Sequence, residues 1–378
     1  MAVAIISEFN PFHNGHKYLV QSVKNITGES VIAIMSGSFV QRGEVAVAEK
    51  FERAKIALKN GVDLVVELPT VYAVSNAQRF ASCGVGIAKS FDCVNCLAFG
   101  CEVNDINLLK TAADALNNVN VKKLVAESMK NGDYYPRALE NAVNTVFGND
   151  VSQVLSQPNN ILAAEYLRAL SNSGISPLPI KRKCVGHDSP NANNNVASAS
   201  LIRQLMRNGD DVSNLVPNLV SKITYPENLE RATILKLRSM SKKDFAKLPD
   251  VNEGLENRIF DSVHKYNSVE EIIFAIKTKR YTHARLRRII TCALLEITEE
   301  LQQIPCDYAR ILGFSNEGER LLKTCRLETV TSPAKYLKKR SNDIRLLKKD
   351  ILASDIAAIA YDNVYSCGTD FHTQIIKY

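Results

Sequence analysis

The chain has 378 residues, of which 46% are apolar and 23% charged, and its formal net charge is +7. This composition is typical of a soluble globular protein. It excludes a membrane-spanning class, because no apolar run approaches the roughly 18 residues that a membrane helix needs. The length favours two domains, each large enough to bury a core. Nine cysteines, an odd number scattered through apolar segments, predict reduced thiols and a cytoplasmic protein.

Short apolar runs alternate with helical patterns through the first half of the chain. The runs predicted as strands are 3–7, 31–36, 63–68, 94–100 and 177–183. Helical patterns occupy 16–26, 49–60, 76–90, 103–147, 161–170 and 198–208. Continuous apolar strands separated by helices are typical of a parallel sheet that is covered on both faces. The sequence therefore predicts a doubly wound α/β domain over residues 1–216.

The second half of the chain differs in both pattern and charge. After about Pro217 the strand pattern fades, and helical segments dominate to about residue 350, before a short mixed tail. Residues 231–350 hold 25 lysines and arginines against 16 aspartates and glutamates. We therefore predict a mainly helical, basic domain over residues 217–378, and the charge asymmetry indicates a polyanionic partner.

The most informative motif is SEFNPFHNGH, residues 7–16, where the first predicted strand gives way to the first helix. In a doubly wound sheet, ligands bind at this end of a strand, and the start of the helix offers N–H groups to a phosphate. Gly15 lets the backbone approach a ligand closely, and Pro11 stiffens the approach. His13 and His16 lie three residues apart and can donate to the same anion. The pattern favours nucleotidyl transfer over the alternative, in which the histidines only cap a helix or fill a polar gap.

A second element, Ser198-Ala-Ser-Leu-Ile-Arg203, follows a polar loop and opens a helix late in the predicted α/β domain. Ser198 or Ser200 is predicted to cap that helix, with Arg203 one turn further on. Hydroxyls, N–H groups and a guanidinium together would hold the β- and γ-phosphates of a nucleotide. An ordinary helix cap is an equally good interpretation of this element alone, but beside HNGH the phosphate site is favoured.

Together these elements resemble the HIGH-type nucleotidyltransferase superfamily. More narrowly, most of the chain resembles the bacterial tRNA(Met) cytidine acetate ligase family, through NPFHNGH, MSGSFVQRGE (35–44), GVDLVVELP (61–69), FGCE (99–102), PNNILAAEY (158–166) and KTKRYTHARLRRI (277–289). The resemblance implies an enzyme that activates acetate with ATP to acetyl-adenylate. It then acetylates N4 of the wobble cytidine of elongator tRNA(Met). Mg²⁺ is expected to accompany the triphosphate, because its hard oxygen chemistry suits phosphates and needs few protein ligands.

The resemblance also implies the site residues, with His13 and His16 as the catalytic pair. The implied ATP-binding residues, together with those of the second element, are Ser7, Glu8, Phe9, Asn10, Pro11, Phe12, His13, Asn14, Gly15, His16, Lys17, Tyr18, Leu19, Val20, Gly100, Asn160 (or its neighbour Asn159), Arg182, Ser198, Ser200 and Arg203. The chain departs from the expected family pattern at Cys101, Ala163, Lys183-Cys184-Val185 and His283, and none of these departures removes a motif residue.

Two further segments are predicted to contact substrates. In SFVQRGE, Gln41 and Arg42 are predicted to line the nucleotide or acetate site, with a surface loop as the alternative. The cationic stretch, residues 277–288, surrounds one aromatic residue with basic ones: Lys277, Lys279, Arg280, Tyr281, Arg285, Arg287 and Arg288. Such a stretch fits phosphate neutralisation and base stacking, and the resemblance favours tRNA binding over the alternative of a solvated helix face.

Two weaker patterns are interpreted as structural. The CxxC pair, Cys93 and Cys96, lies in an apolar run and has no second pair, so core packing is favoured over a metal or redox site. His187 and Asp188 could form a metal or acid–base pair, although a hydrogen bond within a loop is favoured.

Three functions from different classes follow. The first is an ATP-dependent tRNA acetate ligase, with tRNA and acetate as partners and no membrane. The second is a small-molecule adenylyltransferase, which HNGH alone would allow but whose substrate needs no extended cationic surface. The third is a non-catalytic RNA-binding module, which leaves the paired histidines unexplained. The first is the prediction.

Overall fold

The computed structural model of the protein describes residues 1–182, 195–252, 254–278, 280–339 and 343–378. In these ranges the strands are β1 (Ala2–Ser7), β2 (Ser30–Ser36), β3 (Phe39–Val40), β4 (Glu44–Val45), β5 (Leu64–Leu68), β6 (Val94–Cys101), β7 (Ser176–Lys181), β8 (Tyr308–Phe314), β9 (Glu328–Val330) and β10 (Ile376–Lys377). The five strands predicted from apolar runs are β1, β2, β5, β6 and β7, and all five are confirmed.

The main sheet has the order β10-β8-β5-β2-β1-β6-β7, with β9 paired to β8. Along the path β5-β2-β1-β6-β7, each pair of neighbouring strands is parallel. Strand β8, on the other side of β5, pairs with it in the antiparallel direction. The chain builds the sheet outward from β1 through β2 to β5, and then crosses to the other side of β1 to add β6 and β7. The direction of winding therefore reverses between β1 and β6, and in such sheets the crevice at that point is where ligands bind.

Helices cover both faces of this sheet. In the first half they are α1 (Asn14–Thr27), α2 (Lys50–Lys59), α3 (Thr70–Ala73), α4 (Ala77–Lys89), α5 (Ile106–Asn117), α6 (Val119–Lys130), α7 (Tyr135–Phe147), α8 (Asn149–Val154), α9 (Pro158–Leu170) and α10 (Ala199–Asn208). Successive residues of β1 point to opposite faces: Val3 and Ile5 pack with α1 and α2, and Ala2 and Ala4 pack with α4 and α9. Burial on both sides explains why β1 is a continuous apolar run.

The second half begins with helices and returns to the sheet. Its α-helices are α11 (Glu230–Arg238), α12 (Lys242–Phe245), α13 (Leu255–Lys265), α14 (Val269–Ile276), α15 (His283–Leu294), α16 (Asn316–Leu322), α17 (Pro333–Leu337), α18 (Arg345–Ala357) and α19 (Thr369–His372). Short 3₁₀ helices lie at Pro226–Leu229, Leu301–Gln303 and Ala358–Ala360. Helices α11 to α15 form a helical segment that separates α10 from β8 in the chain.

The strand pattern fades after about Pro217, but three strands follow it, and β8, β9 and β10 all join the main sheet. All seven residues of β8 are buried, including Arg310. Arg310 lies 3.4 Å from Asp370, which also pairs with the buried Lys50 at 2.8 Å. A charged residue inside a fully buried strand interrupts the apolar run, so the pattern did not reveal the strand. The division into domains 1–216 and 217–378 stays a prediction, and the sheet crosses it.

In the ranges that the structure describes, no helix combines the length and the apolar character that crossing a membrane requires.

Candidate active site

A cavity of about 210 Å³ opens at the carboxyl ends of β1, β6 and β7, next to the point where the winding reverses. Its polar and charged lining residues are Ser7, Glu8, Asn10, His13, His16, Tyr18, Gln41, Arg42, Asn159, Lys181, Arg182, Ser200 and Arg203. Most of these were predicted from the sequence, although they come from widely separated segments of the chain. The sheet therefore brings together the residues of both predicted phosphate-binding elements.

The two histidines are held by the start of α1. His13 caps this helix, and its Nδ1 accepts a hydrogen bond from the N–H of Gly15 at 3.0 Å. The Nδ1 of His16 accepts from the N–H of His13 at 3.2 Å, and the two rings stack with centroids 3.8 Å apart. An imidazole that accepts at Nδ1 carries its proton on Nε2 when it is neutral. The capping role is therefore real, and it makes Nε2–H the donor of each ring.

His16 is neutral at physiological pH. Burial lowers its pKa well below the ordinary value of 6.5, and the charges of His13 and Arg182 act in the same direction. A neutral imidazole still donates one hydrogen bond from Nε2. Such a fixed donor stabilises charge that develops on a substrate oxygen during reaction.

The ends of β6 and β7 form one wall of the cavity. At Gly100, an added Cβ would lie 3.3 Å from the Cγ of Arg182, so a larger residue would crowd that side chain. The Nη1 of Arg182 lies 3.3 Å from the Oδ1 of Asn159, whose Nδ2 donates to Glu102. Burial lowers the pKa of Arg182 from its ordinary value. Arginine is not deprotonated in proteins, so the guanidinium remains a cation available to an anionic ligand.

The structure distinguishes Asn159 from Asn160, which the sequence left as alternatives for one ATP contact. Asn159 lines the cavity, whereas Asn160 is fully buried and does not. The Oδ1 of Asn160 accepts from the backbone N–H groups of Glu102 and Val103, at 3.0 and 3.3 Å. Its side chain therefore holds the turn that follows β6, and it supports the wall on which Arg182 lies.

The second element opens α10 beside the histidines. Ser198 caps the helix by accepting from the N–H of Leu201 at 3.2 Å, and its Oγ lies 3.1 Å from that of Ser200, which lines the cavity. The Nη1 of Arg203 donates to the carbonyl of Asn10 at 2.9 Å. This bond ties α10 to the turn between β1 and α1.

The side-chain amide of Asn10 has one hydrogen-bond donor group that is not used within the described residues. It is 2% exposed and lines the cavity, and its Oδ1 accepts from the N–H of Val47 at 2.7 Å. Because a backbone N–H must donate to an acceptor, this bond identifies which atom of the side-chain amide is the oxygen. The Nδ2 group is buried without a hydrogen-bond partner among the described residues. Buried polar groups are rarely left unpaired, so Nδ2 is a candidate contact for a substrate oxygen.

The loop that carries Gln41 and Arg42 borders the cavity, and it also contacts the helical segment. The N–H of Gln41 donates to the Oε1 of Glu8 at 2.8 Å. Just beyond this pair, the carbonyl of Gly43 accepts from the Oγ1 of Thr291 in α15 at 2.7 Å. A Cβ at Gly43 would lie 2.8 Å from backbone atoms of α15, so the loop packs directly on that helix.

Several predicted residues do not line the cavity. These are Phe9, Pro11, Phe12, Asn14, Lys17, Val20, Asn160 and Ser198. Phe9, Phe12 and Val20 are core residues that anchor the turn and α1 against the sheet. The Nδ2 of Asn14 donates to the carbonyl of Asn214 at 2.8 Å and so fastens the start of α1. These residues position the motif.

The lining also includes residues that the sequence patterns did not reveal, among them Lys181, Tyr166 and Phe80. Lys181 could have been identified, because it lies in the predicted strand 177–183 next to Arg182. Tyr166 and Phe80 come from α9 and α4, and nothing in their helical patterns separates them from core residues.

Within the cationic stretch, residues 277–288, the three arginines of α15 are paired within the protein. The Nη2 of Arg285 donates to the carbonyl of Asp250 and to the Oδ1 of Asn252, at 2.5 and 3.0 Å. Arg288 lies 3.8 Å from the Asp250 carboxylate, and Arg287 pairs with Glu44 and Glu270. These contacts fix α15 to its neighbours. The expectation that Arg285 and Arg288 face phosphate is therefore not supported by their geometry.

The other members of the stretch differ in exposure. Lys277 and Arg280 are exposed, whereas Tyr281 is 7% exposed and lies under the Arg285 guanidinium, 4.9 Å from ring centroid to carbon. Lys279 lies outside the described residues, as do His187, Asp188 and the departure at Lys183-Cys184-Val185. A role of the stretch in tRNA binding stays a prediction.

The structure holds the cysteines as free thiols across the described ranges. Cys93 and Cys96 pack against the hydrophobic clusters on opposite faces of the sheet. No group of three or more histidine, cysteine, aspartate or glutamate side chains is placed to hold a metal ion among the described residues. The interpretation of the CxxC pair as core packing agrees with these positions.

Comparison with known proteins identifies the family. The family model described as HIGH Nucleotidyl Transferase matches residues 1–370. The tRNA(Met) cytidine acetate ligase of Thermoanaerobacter sp. (strain X514) is 37% identical over 99% of both chains, and that of Clostridium tetani is 36% identical over 84% of this chain and 86% of its own.

Solved structures agree with the sequence relatives. Apo Thermotoga maritima TmcAL is 30% identical and superposes with a TM-score of 0.92, covering 100% of this chain and 99% of that one. The same protein bound with alpha-thio ATP gives a TM-score of 0.90 at the same identity and coverage. The fold, the paired histidines and these similarities lead to one conclusion: the chain belongs to the tRNA(Met) cytidine acetate ligase family, within the HIGH nucleotidyl transferases.

Proposed function

We propose that this protein is an ATP-dependent ligase that joins acetate to N4 of the wobble cytidine of elongator tRNA(Met). The observation that carries the proposal is the cavity at the reversal point of the sheet. There, two stacked histidines, a helix start, the arginine that follows β7 and the arginine of α10 surround one space. The family relationship supports the same reaction. The bound alpha-thio ATP of the Thermotoga maritima protein supports ATP as the nucleotide.

The first half-reaction would join acetate to the α-phosphate of ATP. Acetate is already a carboxylate at neutral pH, so its attack needs no general base. The Nε2–H groups of His13 and His16 would stabilise the charge that builds on the α-phosphate, and Ser200 and Arg203 would hold the phosphates that leave. Arg182 and Asn159 would hold the remainder of the nucleotide against the ends of β6 and β7.

Mg²⁺ is proposed to accompany the triphosphate. The described lining has a single carboxylate, which is too few for a resident ion, so an ion here would be held mainly by phosphates and water. When bound, the ion would neutralise part of the triphosphate charge.

The second half-reaction would transfer the acetyl group to the tRNA. A mixed anhydride is a strong acyl donor, which the weakly nucleophilic N4 amine requires, since its lone pair is delocalised into the ring. The loop at Gln41 and Arg42 borders the cavity and contacts α15 through Gly43. Substrate bound on the helical segment would therefore lie next to the loop that borders the reaction site.

Incubation with ATP, labelled acetate and bulk tRNA tests the proposal, with a panel of phosphorylated cofactor precursors in parallel. Label that appears as N4-acetylcytidine in tRNA(Met) is the expected result. AMP transfer to a cofactor precursor would instead identify a small-molecule adenylyltransferase. If tRNA binds and neither product forms, the protein is an RNA-binding module.

A further inference from the structure

The carboxylate of Glu8 is unexpected in a site proposed for a negatively charged nucleotide. It follows β1 directly, and it is the one carboxylate among the described residues that line the cavity. The ligand proposed for that cavity carries several negative charges. A carboxylate there repels phosphate at close range, and the interaction is stronger in a partly buried site than in water. The residue therefore calls for a role other than binding the triphosphate.

The structure holds this carboxylate in a defined position. Its Oε1 accepts the backbone N–H of Gln41 at 2.8 Å, so the side chain is tied to the loop beside the helical segment. Burial lowers the pKa of Arg203, and the negative charges of Glu44 and then of Glu8 partly oppose this lowering. Glu8 is thus bonded to the loop that packs on α15 of the helical segment through Gly43.

The two half-reactions differ in their need for a base. Adenylate formation needs none, because acetate is already ionised. In the transfer, N4 of cytosine forms a bond to the acetyl carbon, and the bond from that carbon to the phosphate oxygen of AMP breaks. AMP leaves with the electron pair of that bond. The amine must then release one proton, and among the lining residues described here the acceptors are Glu8 and the two histidines.

The histidines are poorly suited to accept this proton. Each Nδ1 already accepts a backbone N–H, and each Nε2 carries the proton with which it donates to phosphate. Burial also lowers the pKa of His16, which disfavours its protonation. We propose that Glu8 is the general base of acetyl transfer and takes the N4 proton as the amide bond forms. This inference rests on the proposed function.

The test separates the half-reactions in Glu8→Gln. Glutamine keeps an oxygen to accept the Gln41 N–H, so the fold and the loop are retained, but its amide cannot take the proton. Acetate-dependent exchange of pyrophosphate into ATP, which reports the first half-reaction, should fall far less than transfer does. Transfer from synthetic acetyl-adenylate to tRNA(Met), measured in a single turnover, should fall by about 10² to 10⁴-fold.

Glu52→Gln is the matched control, because Glu52 accepts a backbone N–H from Ser221 at 2.6 Å and does not line the cavity. It should transfer acetate at the wild-type rate. Wild-type transfer by Glu8→Gln would overturn the assignment. Equal loss of exchange and transfer would also overturn it and indicate that Glu8 acts with the nucleotide. If the wild-type protein itself acetylates no tRNA, the proposed function fails, and the assignment fails with it.

Discussion

The cavity at the strand ends and the cationic stretch use polar and charged residues in opposite ways. In the cavity, backbone groups fix the polar side chains and leave donor groups directed at an open space, as with Asn10 and His16. In the cationic stretch, Arg285, Arg287 and Arg288 contact carbonyls and carboxylates of neighbouring elements. The first arrangement prepares a ligand site, whereas the second holds helices together. A local count of charges does not distinguish the two.

The largest expected effect is on stability. Replacing both Arg285 and Arg288 with glutamate places two carboxylates beside Asp250, which is their present partner. Breaking a mostly buried charged contact and adding like charge should lower the free energy of unfolding by ~3 kcal/mol or more. Urea denaturation followed by circular dichroism measures it. A double variant as stable as wild type, with weakened tRNA binding, would mean that these arginines form an RNA surface after all.

The next effect is catalytic and concerns His16→Ala. Removing one phosphate donor should cost ~3 kcal/mol of transition-state stabilisation, on the order of a hundredfold in acetate-dependent pyrophosphate release. His264→Ala is the control, since His264 lies on α13, away from the cavity lining, and its Nδ1 is 2.8 Å from the carbonyl of Phe260 in the same helix. Release at the wild-type rate from His16→Ala would refute the role of the motif.

A smaller effect is expected for the exposed part of the cationic stretch. Lys277→Glu combined with Arg280→Glu should weaken tRNA binding by about tenfold at low salt. It should also flatten the salt dependence by roughly one unit for each phosphate that the variant no longer neutralises. Lys122→Glu with Lys123→Glu, on the exposed face of α6, is the matched control. Equal affinities for both double variants across a salt series would place the RNA surface elsewhere.

The smallest effect concerns the pH dependence of pyrophosphate exchange, in which no change is expected at the ordinary pKa of histidine. Because the folded protein holds His16 neutral, pyrophosphate exchange should stay level as the pH falls from about 8 through 6.5, the ordinary histidine value. The unfolded chain takes up this proton near pH 6.5 and the folded one does not. The free energy of unfolding should therefore decline below pH 6.5 until the lowered pKa is reached. A half-maximal exchange rate near pH 6.5 would show that His16 titrates normally.

Sequence patterns predicted the parallel strands of the first half because most of them have a clear local signal. β1, β2, β5 and β6 are mainly apolar runs, and the turn after β1 carries a motif whose residue types suit a phosphate. The same reasoning failed for β8, whose Arg310 is paired with Asp370 far along the chain. A buried ion pair between distant residues has no local signature.

The parallel sheet, the motif at the end of β1 and the family to which both belong could all be inferred from the order of residues. Which polar residues meet became clear only from the packing of the folded chain. There, Asn159 and not Asn160 lines the cavity, Glu8 is the carboxylate in the described lining, and Arg288 pairs with Asp250. Strand and helix periodicity depends on neighbours in the chain, whereas the partner of a charge is set by how distant segments pack.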